Sequence, residues 1–409
     1  MKDSESSGIA ITGIGVVSAI GQGQAAFGRA LLDGCAAFDV MRRPGRQRDS
    51  RFLGAEIASL AMPGVVSSRS IRTASFSAQA ALATLDEAWN DARVADVDPL
   101  RVGLIVGGSN VQQRELASIH ETYMGREAFV PPHHALAFMD TDLCGLCTQQ
   151  FGIKGLAYTV GGASASGQLA IVQAAQAVLA GQLDVAIALG AMTDLSHWEC
   201  QALRTLGAMG SDRYADAPEL ACRPFDRCHD GFIYGECCGA VVIERIGARM
   251  RDGVTPYARI AGFGVAMDAN RQPDPSLQGE MRAIDAALHS AGMAAADIDY
   301  VNPHGTASRL GDETELGALR ESGLRHAYLN ATKSIVGHGL SAAGAVEVVA
   351  TLVQMQAKRL HPTRNLDDPI DAAFNWVRRE SVAHSIENAL TLSMGFGGIN
   401  TALCLTRYH

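Results

Sequence analysis

Residues 158–181, YTVGGASASGQLAIVQAAQAVLAG, constrain the fold more than any other stretch of the chain. A short β-type run occupies 156–160. A glycine- and serine-rich corner follows, and an amphipathic helix runs from about Ser166 to its stop signal at Gly181. Asp184 and an apolar strand at 185–189 complete a strand, tight turn, helix, strand unit, which belongs to an α/β fold. At the corner the free N–H groups of the first helical turn meet the positive end of the helix dipole. A side chain held there sits at an electropositive point, the place for a nucleophile. The residue at that corner is Ser164.

The 409 residues are 47% hydrophobic and 19% charged, enough for a large core and against disorder. A net charge of −9 with no basic run argues against nucleic acid or an anionic membrane as the main partner. No apolar run of about 18 residues is expected to span a membrane. The opening MKDSESSG lacks the apolar region of a signal peptide. Nine scattered cysteines, an odd number, read as reduced thiols of a cytoplasmic protein.

The chain reads as two βαβ-rich halves of similar size, 1–248 and 257–409, with 246–256 as the linker candidate between them. The repeated order of elements suggests an internal duplication. Gly13-x-Gly15 hints at a dinucleotide loop, but Ser18 stands where a third glycine belongs, and a tight strand exit is the plainer reading. Cys144 and Cys147 lie at helical spacing with His133 and His134 nearby. No second cysteine pair has zinc-finger spacing, so they read as buried thiols and no metal is implied. Residues 124–140 and 193–235 read as loops or irregular regions.

Three glycine-bounded loops of the second half follow strands, where α/β folds put functional groups. They carry His304 in NPHGTAS, Lys333 and His338 in ATKSIVGHGLSAAG, and Phe396 in SMGFGGIN. A lone histidine in an apolar setting is more often a hydrogen-bonded structural residue. Two histidines and a lysine on two such loops read as a catalytic set.

In VNPHGTAS, TKSIVGHGLSAAG, MGFGGIN, RPFDRCHDGFIYGE and TGIGVVSAIG the chain resembles the β-ketoacyl synthases of the thiolase superfamily, and the resemblance extends over nearly its whole length. The resemblance implies a five-layer αβαβα thiolase-like fold of two duplicated halves, assembled as a homodimer. It implies that His304 and His338 are the catalytic histidines and that Lys333 supports them. Thr306 and Ser308 would line the pantetheine arm of an acyl carrier protein, the substrate's own carrier, and no separate cofactor is implied. Phe396 would be a gatekeeper whose backbone N–H serves as an oxyanion donor.

The departure is at the corner. The family carries a cysteine where this chain, aligned on Gly167 and Ala170-Ile171, has Ser164. A thiol starts near pKa 8.5, and a helix dipole worth about 0.3–2 kcal/mol brings it toward thiolate at neutrality. A serine hydroxyl lies several units higher and stays protonated unless a base touches its Oγ. The resemblance places both histidines on the extender's thioester carbonyl rather than on the nucleophile, so Ser164 is expected to be a poor acyl acceptor. Loss of CO₂ from a malonyl thioester needs no covalent attachment, only donors to the developing enolate. The expectation is a malonyl-acyl-carrier-protein decarboxylase making acetyl-carrier. Freestanding relatives with this Cys-to-Ser change belong to polyketide β-branching cassettes, beside a hydroxymethylglutaryl-CoA-synthase-like partner. Two rivals stand: a serine-nucleophile ketosynthase or acyltransferase, and a non-catalytic chain-length-factor-like subunit, although such subunits usually lack the histidines. Arg69 and Arg72 precede the alanine-rich helix, where the family tends to hold basic residues that meet the acidic carrier; an ordinary solvated face is the alternative.

Overall fold

The computed structural model describes residues 8–247 and 251–409. The N-terminal MKDSESS and positions 248–250 of the linker candidate lie outside the described residues.

Five strands of the first half run through the large sheet: β1 (Ile9–Ser18), β2 (Val102–Gly107), β3 (Ala157–Val160), β4 (Val185–Gly190) and β5 (Cys237–Arg245). The second contributes β6 (Ala258–Met267), β7 (Tyr300–Asn302), β8 (Tyr328–Leu329), β9 (Asn388–Gly395) and β10 (Ile399–Arg407). In space the first five run β3-β2-β4-β5-β1 and the second five β8-β7-β9-β10-β6. Counting from the start of each half, both orders are the same. So are the directions: β2 and β7 lie parallel to both neighbours, and the remaining pairs among these ten strands are antiparallel; among the described residues, only the second half adds a short parallel strand, Asn375–Trp376, beyond β8. Even the irregularities correspond, with register shifts between Ile11 and Gly13 in β1 and between Ile260 and Gly262 in β6. This topology is the duplication that sequence identity between the halves was too low to prove. The halves join where β1 pairs antiparallel with β6 through Ile9–Ile260, Ala10–Arg259 and Ile11–Ala258.

Helices complete five layers. Helix α1 (Phe76–Asp91) covers the outer face of the first sheet, and α3 (Leu277–Ala291) with α4 (Arg309–Glu321) covers that of the second. Between the sheets lie α2 (Ser166–Leu179) and α5 (Ala343–Ala357), packed on each other inside the largest apolar cluster. One stretch, Leu340–Ala357, is long and apolar enough by composition to cross a membrane, against the expectation that none is. Its place between two sheets explains that apolarity, since a helix buried all round carries no polar face.

Gly13-x-Gly15 is a packing device, not a nucleotide loop. A Cβ on Gly15 would meet the Thr84 carbonyl of α1 at 2.1 Å, and one on Gly264 of β6 would meet the Ala283 carbonyl of α3 at 2.1 Å. Each half thus uses glycine so that its outer helix can lie on its strand. Cys144 and Cys147 face the core from the helix Thr141–Phe151, and burial pushes the Cys144 thiol up to about 11. The region at 193–235 is less irregular than expected. It holds the helix His197–Thr205, started by a capping box between Ser196 and Glu199, and that S-x-x-E signal stands in the sequence.

Candidate active site

The corner between β3 and α2 is strained. Ala163 adopts φ 47°, a left-handed backbone that costs a non-glycine residue about 1–2 kcal/mol. Ser166 holds it there. Its Oγ accepts the Gly162 N–H at 2.9 Å and donates to the Ala163 carbonyl at 2.7 Å. The hydroxyl of Ser393 on β9 donates to the Ser164 carbonyl at 3.2 Å. A backbone conformation fixed by this many bonds aims one side chain, that of Ser164. Leu340, before α5, repeats the left-handed turn with φ 51°. The two corners approach because Gly167 and Gly344 lack side chains: a Cβ on Gly167 would lie 2.8 Å from the Ala345 nitrogen, and one on Gly344 2.9 Å from that of Gln168.

His338 lies beside the second corner. Its N–H donates to the Ile233 carbonyl at 2.7 Å, and its own carbonyl accepts the Gly235 N–H at 3.1 Å. The loop after β7 carries His304 and is tied from the same segment, where Gly231 N–H donates to the Ala307 carbonyl at 2.9 Å. The motif RPFDRCHDGFIYGE is thus the strap that sets the two histidine loops against each other. The imidazoles meet edge to face with centroids 5.4 Å apart.

Ser164 Oγ lies 3.0 Å from His338 Nε2. This corrects the expectation that neither histidine faces the serine. The surrounding bonds decide what the contact means. His338 Nδ1 accepts the Leu340 N–H at 3.4 Å, so Nδ1 is unprotonated and Nε2 carries the hydrogen of the neutral ring. His338 therefore donates to Ser164 Oγ and is not a base for it. His304 is set the same way: Lys333 Nζ donates to its Nδ1 at 3.3 Å and to its carbonyl, leaving Nε2–H for the cavity. Burial pushes the pKa of both imidazoles well below 6.5. The Lys333 charge adds to this, so both rings are neutral at pH 7.

Lys333 is itself buried and paired with Glu347 on α5, whose carboxyl burial pushes up to about 7. Below His304, Glu315 of α4 accepts the N–H groups of His304 at 2.6 Å and Gly305 at 2.8 Å. Neither glutamate came out of the sequence reading. Glu347 had left a signal there, as a lone acid in an apolar helix.

All of this opens on a cavity of about 490 Å³ lined by Ser164, His304, His338, Thr306, Ser308 and Phe396. Six of the seven expected site residues therefore meet, and the seventh, Lys333, stands directly behind His304. Thr306 and Ser308 share a 2.8 Å hydroxyl contact at the start of α4. Phe396 lies half-exposed on the turn between β9 and β10. That hairpin seats against the corner because Gly395 lacks a Cβ, which would meet the Gly162 carbonyl at 2.2 Å. Arg72 is exposed on the short helix Ser68–Thr73, and the Arg69 side chain lies outside the described residues. Among the described residues no group of three or more His, Cys, Asp or Glu is placed to hold a metal ion.

The family model described as "Beta-ketoacyl synthase, N-terminal domain" matches residues 6–247, and "Beta-ketoacyl synthase, C-terminal domain" matches 257–367. The chain is 60% identical over 397 residues to "Polyketide biosynthesis malonyl-ACP decarboxylase PksF" of Bacillus subtilis (strain 168), covering 97% of this chain and 96% of that protein. It is 29% identical over 411 residues to "3-oxoacyl-[acyl-carrier-protein] synthase 2" of Coxiella burnetii, covering 98% of each. Among solved structures, a beta-ketoacyl synthase from Burkholderia phymatum STM815 superposes with a TM-score of 0.90 at 29% identity, over 98% of this chain and 100% of that one. The chain belongs to the beta-ketoacyl synthase family, with serine at the corner.

Proposed function

We infer that the chain is a malonyl-acyl-carrier-protein decarboxylase of polyketide biosynthesis, releasing acetyl-carrier. One observation carries the chemistry. Two neutral imidazoles, each fixed with hydrogen on Nε2, flank one cavity beside a serine that has a donor and no base. The relative from Bacillus subtilis, similar over nearly the whole chain, bears the name of that activity.

The mechanism follows from the two donors. The thioester oxygen of the malonyl group accepts both Nε2–H groups, displacing Ser164 Oγ from that of His338. As the carboxylate's C–C bond breaks, its electron pair enters the enolate, whose oxygen is held by the two donors in a water-poor site. Lys333, charged and in contact with His304 Nδ1, strengthens the His304 donor. CO₂ leaves and the enolate carbon takes a proton. Ser164 does not attack, because no base removes its hydrogen.

The second reading, a serine-nucleophile ketosynthase or acyltransferase, uses the same 3.0 Å contact but requires the other His338 tautomer and loss of the Leu340 N–H bond to Nδ1. Ser164→Ala separates the two. A decarboxylase keeps turning malonyl-carrier into acetyl-carrier; a serine acyltransferase stops.

We further propose the acyl carrier protein as partner, with Thr306 and Ser308 along its pantetheine arm and no separate cofactor. A hydroxymethylglutaryl-CoA-synthase-like enzyme would consume the acetyl-carrier. A cytoplasmic homodimer is proposed, without nucleic acid or membrane as partner; the −9 charge supports the last point. Supporting the dimer, β3 ends its sheet with no further strand beside it among the described residues. Exposed Met124, Phe129, Phe138 and Met139 belong to the segment whose Asp140 carbonyl accepts the β3 Thr159 hydroxyl. The halves are proposed to divide at 249–256.

A further inference from the structure

We propose that Glu280 is the acid that gives the enolate carbon its proton after CO₂ has left. The proposal rests on the decarboxylase reading above and deepens it.

Glu280 sits in the first turn of α3, its side chain buried in the wall of the same cavity that His304 and His338 line. Its Oε2 is buried with no hydrogen-bond partner among the described residues. An ionised carboxylate in that state is costly, whereas a carboxylic acid has a proton to place. The groups bearing on it are also carboxylates: Glu315 on α4 and Asp268 after β6. Asp268 accepts from Asn400 Nδ2 at 2.9 Å and lies 3.7 Å from the guanidinium of Arg282. Glu315 accepts the two N–H groups of the His304 loop. Both neighbours thus have hydrogen-bond donors on their carboxyl oxygens, and Glu280 Oε2 has none. Arg282, Arg309 and Asp274 are exposed, outside this buried group. Burial, first, raises the affinity of both Glu280 and Glu315 for protons; charge on Glu315 and Asp268 raises that of Glu280 further, while Asp312 raises and Lys333 lowers that of Glu315. A single proton shared by such a pair rests on the member without donors, Glu280.

The step balances. Cleavage of the malonyl C–C bond releases CO₂ and leaves its electron pair in the enolate. The Glu280 O–H bond breaks as a C–H bond forms at the former Cα, giving acetyl thioester and a Glu280 carboxylate. A solvent water then gives its proton to the Glu280 carboxylate and leaves as hydroxide, so that one proton is taken from solvent per CO₂ released. Because Glu315 bonds the His304 backbone, the acid stands one carboxylate away from the donor that holds the enolate oxygen.

Glu280→Gln keeps the size and removes the proton. The test uses full-length protein with malonyl-loaded carrier in equal H₂O and D₂O, reading both turnover and the deuterium content of the acetyl product by mass. The proposal predicts at least a tenfold fall in kcat with KM within twofold, a changed product H/D ratio, and partial recovery in Glu280→Asp. It also predicts that wild type loses rate at alkaline pH where the acid ionises, a limb absent from Glu280→Gln. An unchanged melting midpoint separates this from misfolding. Glu280→Gln with wild-type turnover and H/D ratio overturns the proposal; a wild type that makes no acetyl-carrier instead overturns the decarboxylase reading.

Discussion

At the scale of the residue, one atom decides the chemistry. The oxygen of Ser164 receives a hydrogen bond from His338 and keeps its proton. Sulfur at the same strained corner would ionise more readily, so Ser164→Cys is expected to take up an acyl group from acyl-carrier, seen as a mass increase on the protein, where wild type shows none. The donors carry the remaining reaction. His304→Ala and His338→Ala should each lower decarboxylation about 10²–10³-fold, the cost of one donor to an oxyanion, measured as kcat/KM for malonyl-carrier. The pH dependence has a definite sign. Lowered pKa values mean the imidazoles release protons more readily than free histidine, so both stay neutral below 6.5. The acid limb of the kcat/KM profile should therefore lie clearly below pH 6.5; half-loss at the ordinary histidine value of about 6.5 would show the rings unshifted.

At the scale of the element, the two central helices bring the corner and the histidines together. Gly167 of α2 and Gly344 of α5 let the helices touch backbone to backbone. Gly167→Val should cost about 1–3 kcal/mol in denaturant midpoint by forcing them apart. Decarboxylation should fall with it, because α5 carries Glu347, the partner of the Lys333 that stands behind His304. The elements themselves were largely legible in the sequence. The helix from Ser166 to near Gly181, the histidine loops and the paired strand-helix order all carry strong local signals, glycine above all. What was not legible is what tertiary packing alone decides. Glu280 and Glu315 sit on amphipathic helices, where an acidic residue is ordinarily the mark of a solvated face. Only the docking of α3 and α4 turns these two inward. The tautomer of His338, set by one N–H two residues further on, was equally invisible. The glycines of β1 read as a tight strand exit, with only a hint of a ligand loop, because a glycine inside a strand that admits a helix carries no signal of its own in the sequence.

At the scale of the whole molecule, two copies of one topology are fused so that a corner from each half faces the other. The sequence repeated the order of elements; the matching strand orders make the duplication plain. The edge strand β3 leaves one side of the sheet open, and Thr159→Pro there should shift the proposed homodimer toward monomer in sedimentation, since proline removes an edge donor. Arg72→Glu should raise KM for the carrier without lowering kcat, because an exposed charge acts on encounter. The central claim concerns the uncoupling of decarboxylation from acyl transfer. It is tested most directly by incubating the purified chain with malonyl-loaded carrier and weighing both proteins intact. The account predicts that the carrier loses one CO₂ per malonyl group while the chain keeps its own mass. Malonyl-carrier persisting at the spontaneous rate, or an acyl group appearing on Ser164 during turnover, would contradict it.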